Sequence, residues 1–415
     1  MINDLIEKFK TGAGGEIKID KSAAYTVEKT SNLFVGRNYV KAIITVDKEH
    51  TVIDGGGAEL TFDVEDCTGF DYALFYFGSQ ARYSEVRNLR IRVNVLNQTN
   101  SEKTFAAFYN TAYGVKFINC HIEIYAKSLI NAVGVYNNGN LDTHMETRAD
   151  HVSVSGCFFK IDCRAENFDK PAYTAAFYNY LANSVSFQDN YVFSFMDGVG
   201  ENQRAVGVYT NGRFGRIIGN NIKANGTQMS GKVKEHAHAF GIINDGNYTI
   251  IAANNVVAEW AGKSVAVLSL GEYAKISGNK LLATHTLVGR CAVVNGKGAT
   301  VIGNTLTSTG RNVRFIELTA PNVIISENYM ECLLPLNAMQ RGCGVYAADK
   351  AATGSIISNN VIKTVKTCGL FLNPQIGMVS GNLFALNGNA VEHTSSADAR
   401  MLAELDETMV CTIRE

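Results

Sequence analysis

The sequence is poor in proline, has no long apolar run and carries almost no excess of charge. Only 4 of its 415 residues are proline. Proline cannot donate to a strand ladder, so this scarcity suits a chain that is mostly hydrogen-bonded strand. No run of 18 apolar residues occurs, which argues against a membrane span. The net charge of −1 argues against a dedicated nucleic-acid binder and gives no reason to expect a membrane surface as partner.

The cysteines and the first residues bear on where the protein works. The nine cysteines are odd in number and widely scattered, and no CxxC pair occurs. We therefore expect reduced, mostly buried thiols. The segment Met1–Lys8 lacks a basic region followed by an apolar stretch, so no signal peptide is predicted. Together these features predict a cytoplasmic protein.

A six-residue pattern, apolar-x-x-Asn-x-apolar, recurs along most of the chain. Its asparagines fall at positions 190, 220, 254, 279, 304, 328, 359 and 382. Upstream, the same position is predicted to hold Leu89, Cys120 and Cys157. An early related segment is Val52–Gly57, which reads VIDGGG.

Short strands repeated every 23 to 37 residues predict a solenoid. Each coil is too small to bury a core alone, but stacking coils about 4.8 Å apart buries a continuous one. An asparagine in the same turn of every coil forms a ladder along the axis. Right-handed crossovers are strongly preferred between parallel strands. We therefore predict an all-β, right-handed parallel β-helix of eleven or twelve coils, and the frame of leucine-rich repeats is absent.

The whole chain, 1–415, is predicted to form one domain. Open solenoid ends expose strand edges and need covers. Residues 2–10 read as an amphipathic helix, so a short N-terminal capping helix is expected within 1–12. The coils are expected over 50–385 and a C-terminal cap over 386–415.

These features resemble the pectate-lyase-like superfamily of right-handed β-helix proteins. The resemblance covers most of the chain, from the IDGGG segment to Asn382. It implies the fold, but members include lyases, hydrolases, epimerases, fructotransferases and phage tailspikes. The strand acidic cluster of calcium-dependent pectate lyases, the NTD, DD and GHG motifs of polygalacturonases and the DPHD motif of alginate epimerases are absent. No subfamily is therefore assigned.

A second strand precedes most ladder positions, with an apolar residue that follows a small residue and, in several coils, precedes a tyrosine. The apolar residue should point inward and its neighbours outward. Tyrosines in the outward position offer flat faces to sugar rings. These predicted substrate-binding tyrosines are Tyr109, Tyr136, Tyr178 and Tyr209.

Coil length supports a site on the same coils. Ladder spacings run from 30 to 37 residues between Leu89 and Asn254, then fall to about 24, with one longer coil. The extra length lies in the coils that carry the tyrosines, and inserted loops on a solenoid commonly build its functional face. The sequence therefore predicts a site within residues 100–250.

Four loops, 137–150, 162–173, 196–204 and 226–238, hold the polar candidates. Hydrolysis or glycosyl transfer needs two carboxylates across the bond, and Asp197 or Glu201 paired with Glu235 or Asp245 is predicted to supply them from adjacent coils. Elimination needs a base and a cation that stabilises an enolate. Both remain open. The predicted catalytic residues are Asp197, Glu201, Glu235, His236 and Asp245. Arg204 and His238 are predicted to bind substrate beside the tyrosines.

No cofactor and no metal is predicted. His236 and His238 with Asp245 suggest a divalent-ion site, but a firm third ligand is missing. Glu317 occupies the outward tyrosine position of a later strand, where a simple surface charge is favoured over a distal substrate contact.

The favoured function is a carbohydrate-active enzyme that cleaves or rearranges glycosidic bonds of an oligo- or polysaccharide. The alternative is a non-catalytic glycan-binding or structural β-helix of the phage tailspike type. Outward apolar residues such as Leu268 and Val293 suggest a covered surface, which a homotrimer would supply.

Overall fold

The structure is a computed structural model of the 415-residue chain. It describes residues 15–21, 25–27, 33, 35–37, 40–65, 67, 69–139, 149–165, 172–198, 203–226, 237–333, 341–347, 350–363, 368–373, 375–385 and 389–393. The expected capping helix at 1–12 lies outside these residues, as does the segment 394–415 of the expected C-terminal cap. Among the residues described, no helix has the length and apolarity that crossing a bilayer requires.

The described chain winds into coils that each add one strand to three parallel sheets. Sheet 1 has 13 strands of three residues. They are Glu16–Lys18, Val52–Asp54, Glu85–Arg87, Lys116–Ile118, Ser153–Ser155, Ser186–Gln188, Arg216–Ile218, Ile250–Ala252, Lys275–Ser277, Thr300–Ile302, Ile324–Ser326, Ile356–Ser358 and Met378–Ser380.

Sheet 2 follows sheet 1 in every coil, after a turn. Its strands are Tyr25–Val27, Glu59–Val64, the first part of Arg90–Asn110, the first part of His121–Asn138, Phe158–Ala165, Tyr191–Gly198, Asn221–Asn225, Asn255–Glu259, Lys280–Thr284, Thr305–Ser308, Tyr329–Cys332, Val361–Lys363 and Leu383–Ala385.

Sheet 3 completes each coil. Its strands are Val40–Val46, Asp71–Phe77, the second parts of Arg90–Asn110 and His121–Asn138, Ala172–Tyr180, Gln203–Thr210, His238–Asn244, Lys263–Ser269, Val288–Val294, Asn312–Leu318, Arg341–Ala347, Cys368–Leu372 and Asn389–His393. We call the edge where these strands begin the leading edge, and the edge where they end the trailing edge. Val35–Arg37 pairs antiparallel with Val40–Val46, and a 3₁₀ turn covers Lys350–Ala352.

The solenoid extends beyond the predicted coil region at both ends. Strand Glu16–Lys18 pairs with Val52–Asp54, so a coil precedes residue 50 and the number of coils exceeds the predicted eleven or twelve. Strand Asn389–His393 pairs with Cys368–Leu372 and carries sheet 3 past residue 385. Neither end segment shows the asparagine repeat, which explains why the sequence pattern missed them.

The core confirms the predicted inward residues of sheet 3 and the outward position of the tyrosines. Phe108, Val135, Phe177 and Val208, the middle residues of the second repeat, are at most 1% exposed and belong to one continuous core. The tyrosines that follow them, Tyr109, Tyr136, Tyr178 and Tyr209, lie on the other side of sheet 3 in a separate apolar cluster. The small residues that precede them do not: Ala107 and Ala176 belong to the inner core, so the prediction that both neighbours point outward is wrong on that side. Two consecutive inward residues interrupt the period of two there.

The asparagine ladder is present and fully buried. The Asn279 Oδ1 accepts from the backbone N–H of Asn254 at 2.9 Å and from its Nδ2 at 3.0 Å. The Asn279 Nδ2 donates to the Asn304 Oδ1 at 2.9 Å and to the Ile251 carbonyl at 2.9 Å. Upstream, Cys157 donates its N–H to the Asn190 Oδ1 at 2.9 Å, which confirms that cysteine takes over this position.

One predicted ladder position is wrong by a single residue. The buried member is Asn360, whose Oδ1 accepts from the Asn328 Nδ2 at 2.9 Å, while Asn359 is exposed. Two asparagines stand side by side there, with two apolar residues on each side, so the six-residue pattern fits two frames. The pairing of Ile357 with Ile325 and Val379 selects the later frame.

A second ladder, which the repeat analysis missed, follows the tyrosines at the trailing edge of sheet 3. The Asn110 Nδ2 donates to the Asn137 Oδ1 at 2.7 Å, and the Asn137 Nδ2 donates to the Asn179 Oδ1 at 2.8 Å. The signal was the Tyr-Asn dipeptide in three successive coils. This ladder fixes the end of each tyrosine-bearing strand.

Candidate functional site

The predicted tyrosines form a single stacked column on the outer side of sheet 3. The tyrosine column comprises Tyr76, Tyr109, Tyr136, Tyr178 and Tyr209, each paired in register with the next. Successive ring centroids lie 5.9, 4.9, 5.0 and 4.4 Å apart, with interplanar angles of 28° or less. Ring faces therefore stack on one another, and inside the column they are not available to a sugar.

The column is also more buried than an open groove would leave it. Tyr109 is 3% exposed, and other members of the same outer cluster, such as Ala106 and Val133, are fully buried. Burial raises the pKa of Tyr136 and Tyr209 far above the ordinary value, so both hydroxyls stay protonated. Ring edges and hydroxyls are what this column offers to a ligand.

The hydroxyls point toward a polar row at the trailing edge. Asn138 donates its Nδ2 to the Tyr109 hydroxyl oxygen at 2.7 Å. Tyr209 donates its hydroxyl to the Asp245 Oδ2 at 2.9 Å. Asn138 lies two residues after Tyr136, and Asp245 lies two residues after Ile243, the register partner of Tyr209. The polar row that contains them therefore runs parallel to the tyrosine column.

Asp245 is the carboxyl group of this row with a perturbed pKa. Burial raises its pKa above the usual 3.8, and the hydrogen bond from Tyr209 offsets part of that rise. Its Oδ1 is buried and has no hydrogen-bond partner among the described residues. A half-buried carboxyl group that holds its proton to higher pH is suited to act as a general acid.

Asp197, the other predicted catalytic carboxylate among the described residues, lies far from Asp245. Asp197 is buried near the end of strand Tyr191–Gly198, which leads into the leading edge of sheet 3. Asp245 follows strand His238–Asn244 at the trailing edge. Seven strand residues span roughly 20 Å. Glycosidase carboxylates stand about 5 to 9.5 Å apart, so the predicted pairing of Asp197 with Asp245 does not form.

The other predicted residues fall into two groups. Glu201, Glu235 and His236 lie outside the described residues. Arg204 and His238 are paired in register at the leading edge, and Lys263 continues their row in the next coil. His238 therefore stands a strand's length from Asp245, too far for the two to share one metal ion.

Three of the four predicted loops join sheet 2 to the leading edge of sheet 3. Segments 166–171, 199–202 and 226–237 each connect a strand of sheet 2 to a strand of sheet 3, while 139–152 follows sheet 3. Most residues of these segments lie outside the described part of the chain.

Glu317 is not the simple surface charge that the sequence suggested. It forms an ion pair with the buried Arg290, and the Arg314 Nη1 lies 3.2 Å from its Oε2. Burial opposes ionisation of Glu317, but the two arginines outweigh it, so its pKa is lowered. The Arg314 guanidinium also lies 3.5 Å from the centre of the Tyr346 ring. Sequence reasoning missed Arg290 and Arg314 because the strands Val288–Val294 and Asn312–Leu318 lack a polar motif.

This charged cluster is a separate place on sheet 3. Glu317 follows Asp245 by three coils, which is about 14 Å along the axis. The distance exceeds the spacing of a catalytic carboxylate pair. The cluster therefore extends the polar surface without completing a catalytic pair with Asp245.

Two clefts also open on the outer side of sheet 2. One of about 320 Å³ is lined by residues that include Asp63, Tyr125, Lys127 and Arg164. A smaller one of about 170 Å³ lies beside His121 and neighbouring charged residues. Their charged groups are largely paired with one another: for example, the Arg164 Nε lies 3.3 Å from Asp162 and His121 lies 2.8 Å from Glu123. These clefts carry no predicted site residue.

Comparison with known proteins identifies the architecture. No family model and no curated protein matches the sequence. Among solved structures, the A-module of mannuronan C-5 epimerase AlgE4 from Azotobacter vinelandii superposes with a TM-score of 0.53 at 11% identity, over 95% of each chain. PfbA, a surface protein and adhesin of Streptococcus pneumoniae, superposes with a TM-score of 0.56 at 13% identity, over 94% of each chain. At such low identity the superpositions identify the fold alone. This chain is a right-handed parallel β-helix.

Proposed function

We propose that the protein is a carbohydrate-active enzyme that binds an oligo- or polysaccharide along sheet 3 and cleaves or rearranges its glycosidic bonds. The observation that carries the proposal is the Tyr209–Asp245 pair, a carboxyl group with a raised pKa on a row of hydroxyl and amide groups. A protonated carboxyl group at this position can donate to a glycosidic oxygen. The epimerase A-module, which shares the fold, is named for an activity on a polysaccharide.

The remaining roles follow from position along the strands. Arg204 and His238 at the leading edge are proposed to hold the glycan, and the hydroxyls of the tyrosine column are proposed to bind it by their edges. A second catalytic group is required within a few ångström of the bond. Glu201, Glu235 and His236 remain the predicted sources, while Asp197 lies too far from Asp245.

A glycan panel tests the proposal. The protein is incubated with plant, algal and bacterial polysaccharides, and new reducing ends and the ultraviolet absorbance of unsaturated products are followed. Asp245→Asn should lower the rate at least about 100-fold, because general-acid catalysis contributes that much. Asp189→Asn is the matched control, since Asp189 is exposed in the turn between sheets 1 and 2. Equal rates for both variants would remove Asp245 from the mechanism.

A non-catalytic glycan-binding β-helix is the second candidate. One observation favours it: Asp197 and Asp245 do not form a catalytic pair. PfbA, which shares the fold, is named an adhesin. Binding to a panel glycan by calorimetry, with no product from any of them, would select this candidate.

The homotrimer remains a proposal with less support than the sequence suggested. Val293 is 8% exposed and Leu268 packs against the same apolar cluster, so contacts within one chain already cover these residues. Light scattering coupled to size-exclusion chromatography gives the mass directly, and a mass of one chain would exclude the trimer.

A further inference from the structure

Trp260, the one tryptophan of the chain, occupies the turn between sheet 2 and sheet 3. It follows strand Asn255–Glu259 and precedes Lys263–Ser269. Its indole stacks on the imidazole of His285 in the next coil, with centroids 4.1 Å apart and planes 9° apart. The stack fixes the ring perpendicular to the solenoid axis.

The other indole face differs from the ring faces in the tyrosine column. In the preceding coil, Asn225 is the register partner of Glu259, so Gly226 lies opposite Trp260. The Gly226 N–H donates to the Glu259 carbonyl at 3.1 Å, and glycine has no side chain to lay on the ring. Within the described chain, no ring stacks on this second face, and Trp260 is partly exposed.

Close packing holds the turn against the leading edge of sheet 3. A Cβ on Gly226 would lie 2.8 Å from the Ala261 Cβ and 3.2 Å from the His238 carbonyl oxygen. Gly226, Ala261 and the start of strand His238–Asn244 therefore lie close together, which places the turn of Trp260 at the leading edge of sheet 3. Only glycine leaves this much room at position 226.

An ion pair between the buried Glu259 and the partly exposed Lys223 fixes the residue before Trp260. The Glu259 Oε1 lies 2.7 Å from the Lys223 Nζ and accepts from the Asn225 Nδ2 at 3.0 Å. Glu259 is 7% exposed, so this strand end is held rigidly. A rigid, preorganised ring loses little freedom on binding.

We propose that Trp260 is a sugar-stacking platform at the leading edge of sheet 3, which takes one pyranose residue of the glycan on the indole face opposite His285. The inference rests on the proposed function, since it assigns an additional contact to the same glycan. A flat indole face packs against the C–H groups of a pyranose, and the tyrosine column provides no such face inside its stack. Trp260 thus supplies the ring face that a sugar requires.

The test uses the intrinsic fluorescence of the single tryptophan. Cellohexaose, laminarihexaose, an alginate hexasaccharide, a galacturonate pentasaccharide and nystose are titrated into the full chain, with calorimetry on the same samples. For any sugar that binds, the emission of Trp260 should shift, and Trp260→Ala should raise the Kd about tenfold. Trp260→Phe keeps a ring and should stay within about threefold of the wild type.

Tyr273→Ala is the matched control. Tyr273 is also an exposed, stacked ring in a left-handed turn, but between sheets 3 and 1. It should leave the Kd unchanged, and circular dichroism verifies that every variant is folded. A sugar that binds with no change in emission and with an unaltered Kd in Trp260→Ala overturns the platform but keeps the proposed function. A failure of all five sugars to bind the wild type in calorimetry, together with no product in the wider panel, overturns both.

Discussion

Replacing Asn360 by alanine removes one complete rung of the asparagine ladder. The Asn360 Oδ1 accepts from the backbone N–H of Asn328 at 3.0 Å and from its Nδ2 at 2.9 Å. The Asn360 Nδ2 donates to the Asn382 Oδ1 at 2.9 Å and to the Ile325 carbonyl at 3.0 Å. All of these groups are buried, so the substitution leaves donors and acceptors without partners.

The expected loss of stability is large. Each net hydrogen bond contributes about 1 kcal/mol, and each buried group left unsatisfied costs about 1 to 3 kcal/mol. Because the lost bonds share partners, we expect Asn360→Ala to lower the free energy of unfolding by about 3 to 5 kcal/mol. Asn359→Gly should change it by less than about 0.5 kcal/mol, since Asn359 is exposed and its φ of 55° suits glycine.

Urea denaturation followed by circular dichroism measures both variants. Each coil contacts only its neighbours, so hydrogen exchange should locate the loss in strands Ile324–Ser326, Ile356–Ser358 and Met378–Ser380. A larger loss for Asn359→Gly than for Asn360→Ala would refute the register that the structure assigns.

Three further predictions concern other parts of the solenoid. Glu317→Gln leaves the buried Arg290 without its ion pair and should cost about 3 to 5 kcal/mol in urea denaturation; an unchanged midpoint would contradict the pairing. Gly246→Ala would place a Cβ 1.9 Å from the Gly212 carbonyl oxygen, so the backbone must shift and the melting temperature should fall by several degrees; an unchanged value would show that the coils can separate there. Asp245 binds its proton more tightly in the folded than in the unfolded chain, so its contribution to stability is lost as pH rises through the raised pKa. Asp245→Asn should therefore melt higher than the wild type at neutral pH, and the difference should vanish in acid; a lower melting temperature at neutral pH would contradict the raised pKa.

The fold could be predicted because its signal repeats. Asn190, Asn220, Asn254 and their successors occupy the same turn in every coil, so each copy reinforces the others. The repeat failed where it was ambiguous, at Asn359 and Asn360. It also failed where no asparagine stood, as in the coil that begins at Glu16.

The site could be predicted only in part, because the number of residues between two positions does not give the distance between their side chains across a sheet. Tyr109 and the other predicted tyrosines lie on the outer side of sheet 3, as predicted. Their rings stack on one another, however, so the ring faces expected to bind a sugar are covered. Asp197 and Asp245 belong to consecutive coils, yet the width of sheet 3 separates them. The ion pair of Arg290 and the stacking of Trp260 on His285 both depend on residues in adjacent coils. No local sequence motif indicates such contacts.

Asp245 is proposed to act as the acid of a glycan-cleaving site, and the hydrogen bond from Tyr209 is proposed to set its pKa. The direct measurement is the pH dependence of kcat/KM for the wild type and Tyr209→Phe on the glycan that the panel identifies. Loss of the 2.9 Å hydrogen bond removes the interaction that lowers the Asp245 pKa. The alkaline limb of the profile should therefore move to higher pH in Tyr209→Phe. An unmoved limb, or a profile in Asp245→Asn that matches the wild type, would contradict the account.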